Sequence, residues 1–124
     1  MTLSFLSLFL FLLMLKHTVC DLAIQRLFPA DKNIYLDKNA HIHYFHHAVG
    51  SFLVGLMLDI RFAIVISTID YVLHWHIDHA KTKIKRHFSW TEKDDQYWVL
   101  QSFDQALHFA TYYLFAVLAV QFYM

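Results

Sequence analysis

The chain has 124 residues, 58% of them hydrophobic, with two Gly, one Pro and one Cys. That length leaves room for a single domain, residues 1–124, and the composition is too apolar for an ordinary water-soluble core. Ten Lys/Arg balance ten Asp/Glu, so bulk charge offers no nucleic-acid footprint, and the lone Cys20 excludes an internal disulfide and a Cys-rich zinc module. Ten histidines are the anomaly, because imidazole costs helix propensity and, when charged, costs burial.

The first apolar run, Leu3 to Leu15, is interrupted only by Ser4 and Ser7. No Lys or Arg precedes Lys16, no small-x-small site follows, and His17-Thr18-Val19 before Cys20 is not a lipoprotein site. The segment therefore reads as a helix over residues 3–27, stopped by Pro29. A polar connector follows, and a second helix is predicted over 40–58, where Gly50, Ser51 and Gly55 permit close approach of a neighbour. Asp59-Ile60-Arg61 is the only polar break before a third helix over 62–80, which makes the second and third a tight hairpin. A basic stretch from Lys81 to Arg86 leads to a fourth helix over 91–123, opened by a capping-box pattern, Thr91-Glu92-Lys93-Asp94. The fold class is all-α, an integral membrane bundle of about four transmembrane helices, since ~20 residues at ~1.5 Å each span ~30 Å of hydrocarbon. Trp75, Trp90, Tyr97 and Trp98 fall near the inferred boundaries, as an aromatic belt would.

Orientation follows from basic residues in short loops. Arg26, Lys32 and Lys38 flank the first connector and Lys81, Lys83, Lys85 and Arg86 the third, against Arg61 alone on the opposite side. Both basic connectors are expected in the cytoplasm and both termini outside it, in a bacterial inner membrane.

Each helix carries one ionisable pair at i,i+4: His17/Asp21, His43/His47, His74/Asp78 and Asp104/His108. Residues at that spacing share a helix face. With alternating helix direction all four pairs fall toward the same end, so they form one site. Ionisable groups inside membrane helices are expensive and mark function by default. Five imidazoles and three carboxylates supply ligands for one or two divalent ions, Zn, Fe or Mn, comparable in number to those of di-iron bundles. His41, His46, His76, His79 and His87 compete, but most lie near the interface, where a hydrated imidazole needs no function. Asp70, one turn before His74, is expected to accept from it, and Gln25 and Gln105 flank the pairs.

The set His17-x-x-x-Asp21-x-x-x-Gln25, His43-x-x-x-His47-Ala48, His74-x-x-x-Asp78-x-x-Lys81 and Asp104-Gln105-x-x-His108 resembles, from first helix to last, a family of uncharacterised small membrane proteins of bacteria and phages. That family is itself distantly similar to membrane-bound metal-dependent hydrolases. The resemblance implies an all-helical membrane protein and no particular substrate.

The leading expectation is a metal-dependent hydrolase acting on a lipid-like ester, with Asp78 or Asp104 as the catalytic base. Its partners are the bilayer, that substrate and, in a homo-oligomer, a second copy; nucleic acid is not among them. A di-iron oxidase is the second reading, because His43-Tyr44-Phe45-His46-His47 matches an H-x-x-H-H box. A non-catalytic membrane factor or a proton/metal conduit is the third.

Overall fold

The computed structural model describes Thr2 to Tyr123, and among those residues it is all-helical. The long helices are α1 (Leu3–Thr18), α2 (Lys38–Gly55), α3 (Ile60–His87) and α4 (Asp95–Tyr123). The starts of α1, α2 and α3 are marked by side-chain chemistry. Thr2 Oγ1 accepts from the Phe5 amide, Asp37 from Ala40 and Asp59 from Phe62, each satisfying an N–H that has no partner within its helix.

The first helix does run to residue 27, but not as one regular coil. After Thr18 the turn widens to a π-helical stretch, Val19–Ile24, and then tightens to a 3-10 turn, Gln25–Leu27, before Phe28 leaves helical geometry ahead of Pro29. π-turns inside α-helices commonly accompany functional sites, and this one carries Asp21. α3 starts two residues earlier than expected and runs to His87, well past 80. α4 starts at Asp95 because Thr91 to Asp94 close a turn of their own, in which the Asp94 carboxylate accepts the Thr91 N–H at 2.8 Å. The Thr91 hydroxyl accepts from Lys93 at 3.4 Å instead of from Asp94, so only half of the expected capping box forms.

The start of α1, the α2/α3 turn and the end of α4 lie together, since Thr2, Phe5, Met57, Leu58 and Tyr123 line one small cavity. The connectors at residues 28–37 and 88–94 therefore occupy the other end. The interior changes character between the two ends. On α3 the buried residues, Ala63 apart, fall every fourth position, Phe62, Ile66, Asp70, His74, Asp78 and Thr82, apolar first and polar after. Phe9 and Leu13 precede His17 on α1, while on α4 Asp104 and His108 precede Tyr112, Phe115 and Ala119. The apolar half is thus a conventional core, and the other half is built of ionisable groups.

Two helices, Leu3–Leu27 and Asp95–Tyr123, are long and apolar enough to cross a membrane. α2 and α3 do not reach that apolarity, so four spans go beyond what the described helices establish by composition. Their closeness is as expected of a hairpin: a Cβ on Gly55 would lie 2.7 Å from the Ala63 Cα.

Since Gly55 has no positive φ, a substitution there acts through that contact alone. Gly55→Ala, which at an open helical site gains roughly 0.5–1 kcal/mol, is expected here to lose about 1–3 kcal/mol by overpacking. Thermal unfolding in detergent reads the difference, and a stabilised variant would contradict the close approach. A second outcome concerns pH. The Phe62 amide first, and then the Tyr123 hydroxyl, hold the Asp59 carboxyl below its ordinary range. The cap therefore contributes at and above the carboxyl's unfolded pKa and is lost as pH falls through the lower folded one. Hydrogen exchange at the start of α3 should accelerate on acidification in wild type, relative to the chemical rate, and not in Asp59→Asn.

Candidate metal centre

Counting residues from the termini end, His17 and His74 stand ~21 Å along their helices, His108 ~22 Å and His43 ~18 Å. The four helices thus deliver their ionisable pairs to one level. Six of the eight expected ligands form two overlapping groups that share His74. One is Asp21, His43, His47 and His74, and the other is His74, Asp78 and His108; within each, one ligand atom per residue lies within 4.8 Å of the others.

The first group is the tighter in chemistry. Asp21 Oδ1 lies 2.7 Å from His47 Nε2, 3.2 Å from His43 Nε2 and 3.9 Å from His74 Nε2. His43 Nε2 and His74 Nε2 face one another at 3.2 Å. Metal bonds of ~2.0–2.1 Å in a tetrahedron imply ligand spacings of ~3.3 Å, so three nitrogens and one oxygen sit near the separations an ion would set. His43, His47 and His74 are 1%, 0% and 1% exposed, so bulk water does not separate them.

Protonation can be followed atom by atom. The Lys16 amine is 3.2 Å from His47 Nδ1; an ammonium there donates, which leaves the His47 proton on Nε2, donated to Asp21. His43 Nε2 and His74 Nε2 each have a carboxylate oxygen in reach, Asp21 Oδ1 at 3.2 Å and Asp78 Oδ2 at 3.3 Å, and each can donate a proton there. Both their Nδ1 atoms are buried without a hydrogen-bond partner. A cation between the two facing Nε2 atoms would take the place of those protons. The fit has one departure from common practice: metal-bound imidazoles usually donate Nδ1–H to an acceptor, and these two do not.

His17 is beside the group, not in it. Its Nε2 lies 3.0 Å from Asp21 Oδ2 and its Nδ1 2.8 Å from the Tyr112 hydroxyl, an arrangement that aims the carboxylate. Asp104 likewise lies outside both groups. His108 Nε2 sits between Asp78 Oδ1 at 3.1 Å and Asp104 Oδ1 at 3.4 Å, linking the two carboxylates.

Three lysines complete the site, and sequence reasoning missed them as members. Lys16 meets Asp70 at 2.5 Å, Lys32 meets Asp78 at 2.7 Å and Lys81 meets Asp104 at 3.2 Å. Lys32 had stood only as a topology signal, and Lys81 as one besides its place in the His74-x-x-x-Asp78-x-x-Lys81 motif. Asp70 serves Lys16 and the Ser51 hydroxyl instead of His74. With neutral imidazoles, the carboxylates Asp21, Asp70, Asp78 and Asp104 against the three ammoniums leave one net negative charge.

The remaining histidines do other work. His79 donates Nδ1–H to the Lys32 carbonyl at 2.9 Å, and Trp75 donates to the Tyr35 carbonyl at 3.0 Å while its ring packs on Tyr35. His41 joins Tyr35 and Tyr71, and His76 joins the Tyr35 hydroxyl. Together they pin the connector that carries Lys32 inward. His46 packs on Phe28 and belongs to neither group, so the structure does not bring His43, His46 and His47 together as one cluster, and His87 is exposed beside Phe88.

No protein-family model, no curated protein and no solved structure matches the chain.

Removing one partner of a buried pair leaves an uncompensated charge. Lys16→Met is expected to cost about 3–5 kcal/mol, and Lys16→Met with Asp70→Leu substantially less than the sum of the single changes. Equilibrium unfolding in detergent tests this, and additivity within ~0.5 kcal/mol would show the pair to be uncoupled.

Proposed function

We propose that the chain is a polytopic membrane protein whose cluster holds one divalent ion used to hydrolyse a lipid-like ester. The observation that carries the metal is the convergence of three buried imidazole nitrogens and the Asp21 carboxylate. Zinc suits a nitrogen-rich, four-coordinate set best, and iron and manganese share its ligand types. The charge count favours one ion over two, because the lysines already balance three carboxylates.

α2 and α3 owe part of their weaker hydropathy to His43, His47, Asp70, His74 and Asp78, which face inward. Outward they present Phe45, Val49 and Leu53 on α2 and Ile60, Ile64, Val65 and Val72 on α3, all exposed. Four spans with the basic connectors in the cytoplasm put both termini outside, in a bacterial inner membrane. The motif set's resemblance to small bacterial and phage membrane proteins points the same way.

For hydrolysis, a bound ion supplies Lewis acidity and lowers the pKa of water at its open position. An open position is available if His47 keeps its Nε2 proton, as Lys16 favours, and leaves His43, His74 and Asp21 as ligands. Asp78 is the better placed of the two expected bases. It lines the cavity beside the cluster, with its Oδ2 3.6 Å from His43 Nε2, and His108 Nε2 lies behind it, 3.1 Å from its Oδ1.

A second reading has its own observation. Asp70, Lys16, His47, Asp21, His43, His74, Asp78, His108 and Asp104 form a continuous chain of polar contacts, which suits a proton conduit or a non-catalytic factor.

Elemental analysis of detergent-purified protein separates the two. The metal reading expects one ion per chain, lost in His43→Ala and His74→Ala, and an affinity reduced about 10–100-fold in His17→Ala, where only the carboxylate's support is removed. Metal-independent proton flux in liposomes, abolished by Asp21→Asn, would support the conduit and end the metal reading.

A further inference from the structure

A cavity of ≈ 330 Å³ opens beside the cluster, between the end of the first helix, the pinned connector, α3 and α4. Asp21 and Asp78 form part of its wall, and Gln25, Lys32, Lys81, Gln101 and Gln105 supply nitrogen donors around it. Lys32 gives its ammonium to Gln25 Oε1 and Asp78, and Lys81 donates to Asp104, so each retains N–H capacity for another acceptor. Among the described residues the Gln101 side chain and the Gln25 amide nitrogen have no hydrogen-bond partner. Two ammoniums and free carboxamides around one opening match a group with several acceptor oxygens and negative charge.

Charge decides when such a group can enter. With neutral imidazoles the cluster alone carries one net negative charge and repels it. One divalent ion reverses the sign to one net positive, and a singly charged anion then brings the sum to zero, the value a low-dielectric interior favours. We propose that this cleft seats the phosphate group of an anionic ligand, and that it does so only once the cluster has taken its ion. The proposal rests on the metal reading above and names the substrate class for it. Leu22 and Phe109, 70% and 43% exposed, form an apolar lip where the cleft opens between α1 and α4. That lip fits the headgroup of a phosphate-bearing lipid entering sideways, while the donors alone would equally hold a free phosphate.

Linkage supplies the test, since a ligand that requires the ion must tighten the ion by the same factor. Zn²⁺ affinity is measured at buffered free Zn²⁺ for the full chain in dodecyl maltoside, either alone, with inorganic phosphate, with dispersed phosphatidic acid or with phosphatidylcholine. Phosphatidic acid is expected to tighten Zn²⁺ about tenfold, and phosphatidylcholine not at all. Gln101→Leu and Lys32→Gln should each cut that factor to below about threefold, a ratio internal to each variant and so insensitive to small losses of stability. Tightening by phosphatidic acid only assigns the phosphate to a lipid; tightening by inorganic phosphate as well assigns it to a soluble phosphate group. Stoichiometric Zn²⁺ with an affinity that neither form changes would overturn the cleft and leave the metal reading standing. The same factor in both variants as in wild type would reduce the effect to micelle surface charge and overturn it too. Failure to bind Zn²⁺ in any arm would end both.

Discussion

The structure depends on one constraint, that a charge taken out of water must find its compensation within hydrogen-bond reach. Four carboxylates and three ammoniums meet in the connector half of this bundle, with five imidazoles threaded among them. An isolated buried carboxylate costs several kcal/mol even after relaxation. Here Asp70, Asp78 and Asp104 each have a lysine, and Asp21 alone has none. Its partners are imidazoles from three other positions in the bundle and His17 on its own helix. The one carboxylate left without a fixed cation is therefore the one at the centre of the nitrogen cluster.

That arrangement explains why irregular pieces of the fold occur where they do. A regular α-helix through Leu27 would carry residues 19–27 on at 100° steps. The π-helical stretch changes the phase just where Asp21 must reach across to α2. The connector at 28–37 is likewise held by more aromatic and histidine contacts than a linker requires, and Lys32, which it carries to Asp78, is the reason. At the opposite end the interior is Phe9, Leu13, Phe62, Ile66 and Phe115, and regular helices suffice.

Much of the site was legible because helical periodicity is local. Spacing of four residues brought His43 with His47 and His74 with Asp78, and helix alternation brought the pairs to one level, which six of the eight residues share as two groups. His17 and Asp104 followed the same spacing and stand one contact further out, since i,i+4 fixes a shared face but not which atom points inward. Lys16 and Lys32 were not legible. Lys16 lies 54 positions from Asp70 and Lys32 46 from Asp78, and nothing local distinguishes an amine that turns inward from one that snorkels to the interface. Helix ends were legible to within a few residues, except that α3 continues through a basic stretch that reads as a stop.

The apolarity of α2 and α3 shows the same limit from another side. A hydropathy sum treats a buried Asp78 and an exposed one alike, although in this fold the former is neutralised by Lys32 and faces His108. Helices whose polar residues pair across the interior present to their surroundings the remaining face, which on α2 includes Phe45, Val49 and Leu53 and on α3 Ile60, Ile64, Val65 and Val72, beside Thr68 and His76. What matters to a bilayer is the free energy of the assembled bundle and not of each helix alone. On the four-span reading proposed above, the charge network and the membrane are one problem: the pairs that bring the cluster together are also what would make two otherwise marginal helices tolerable in lipid.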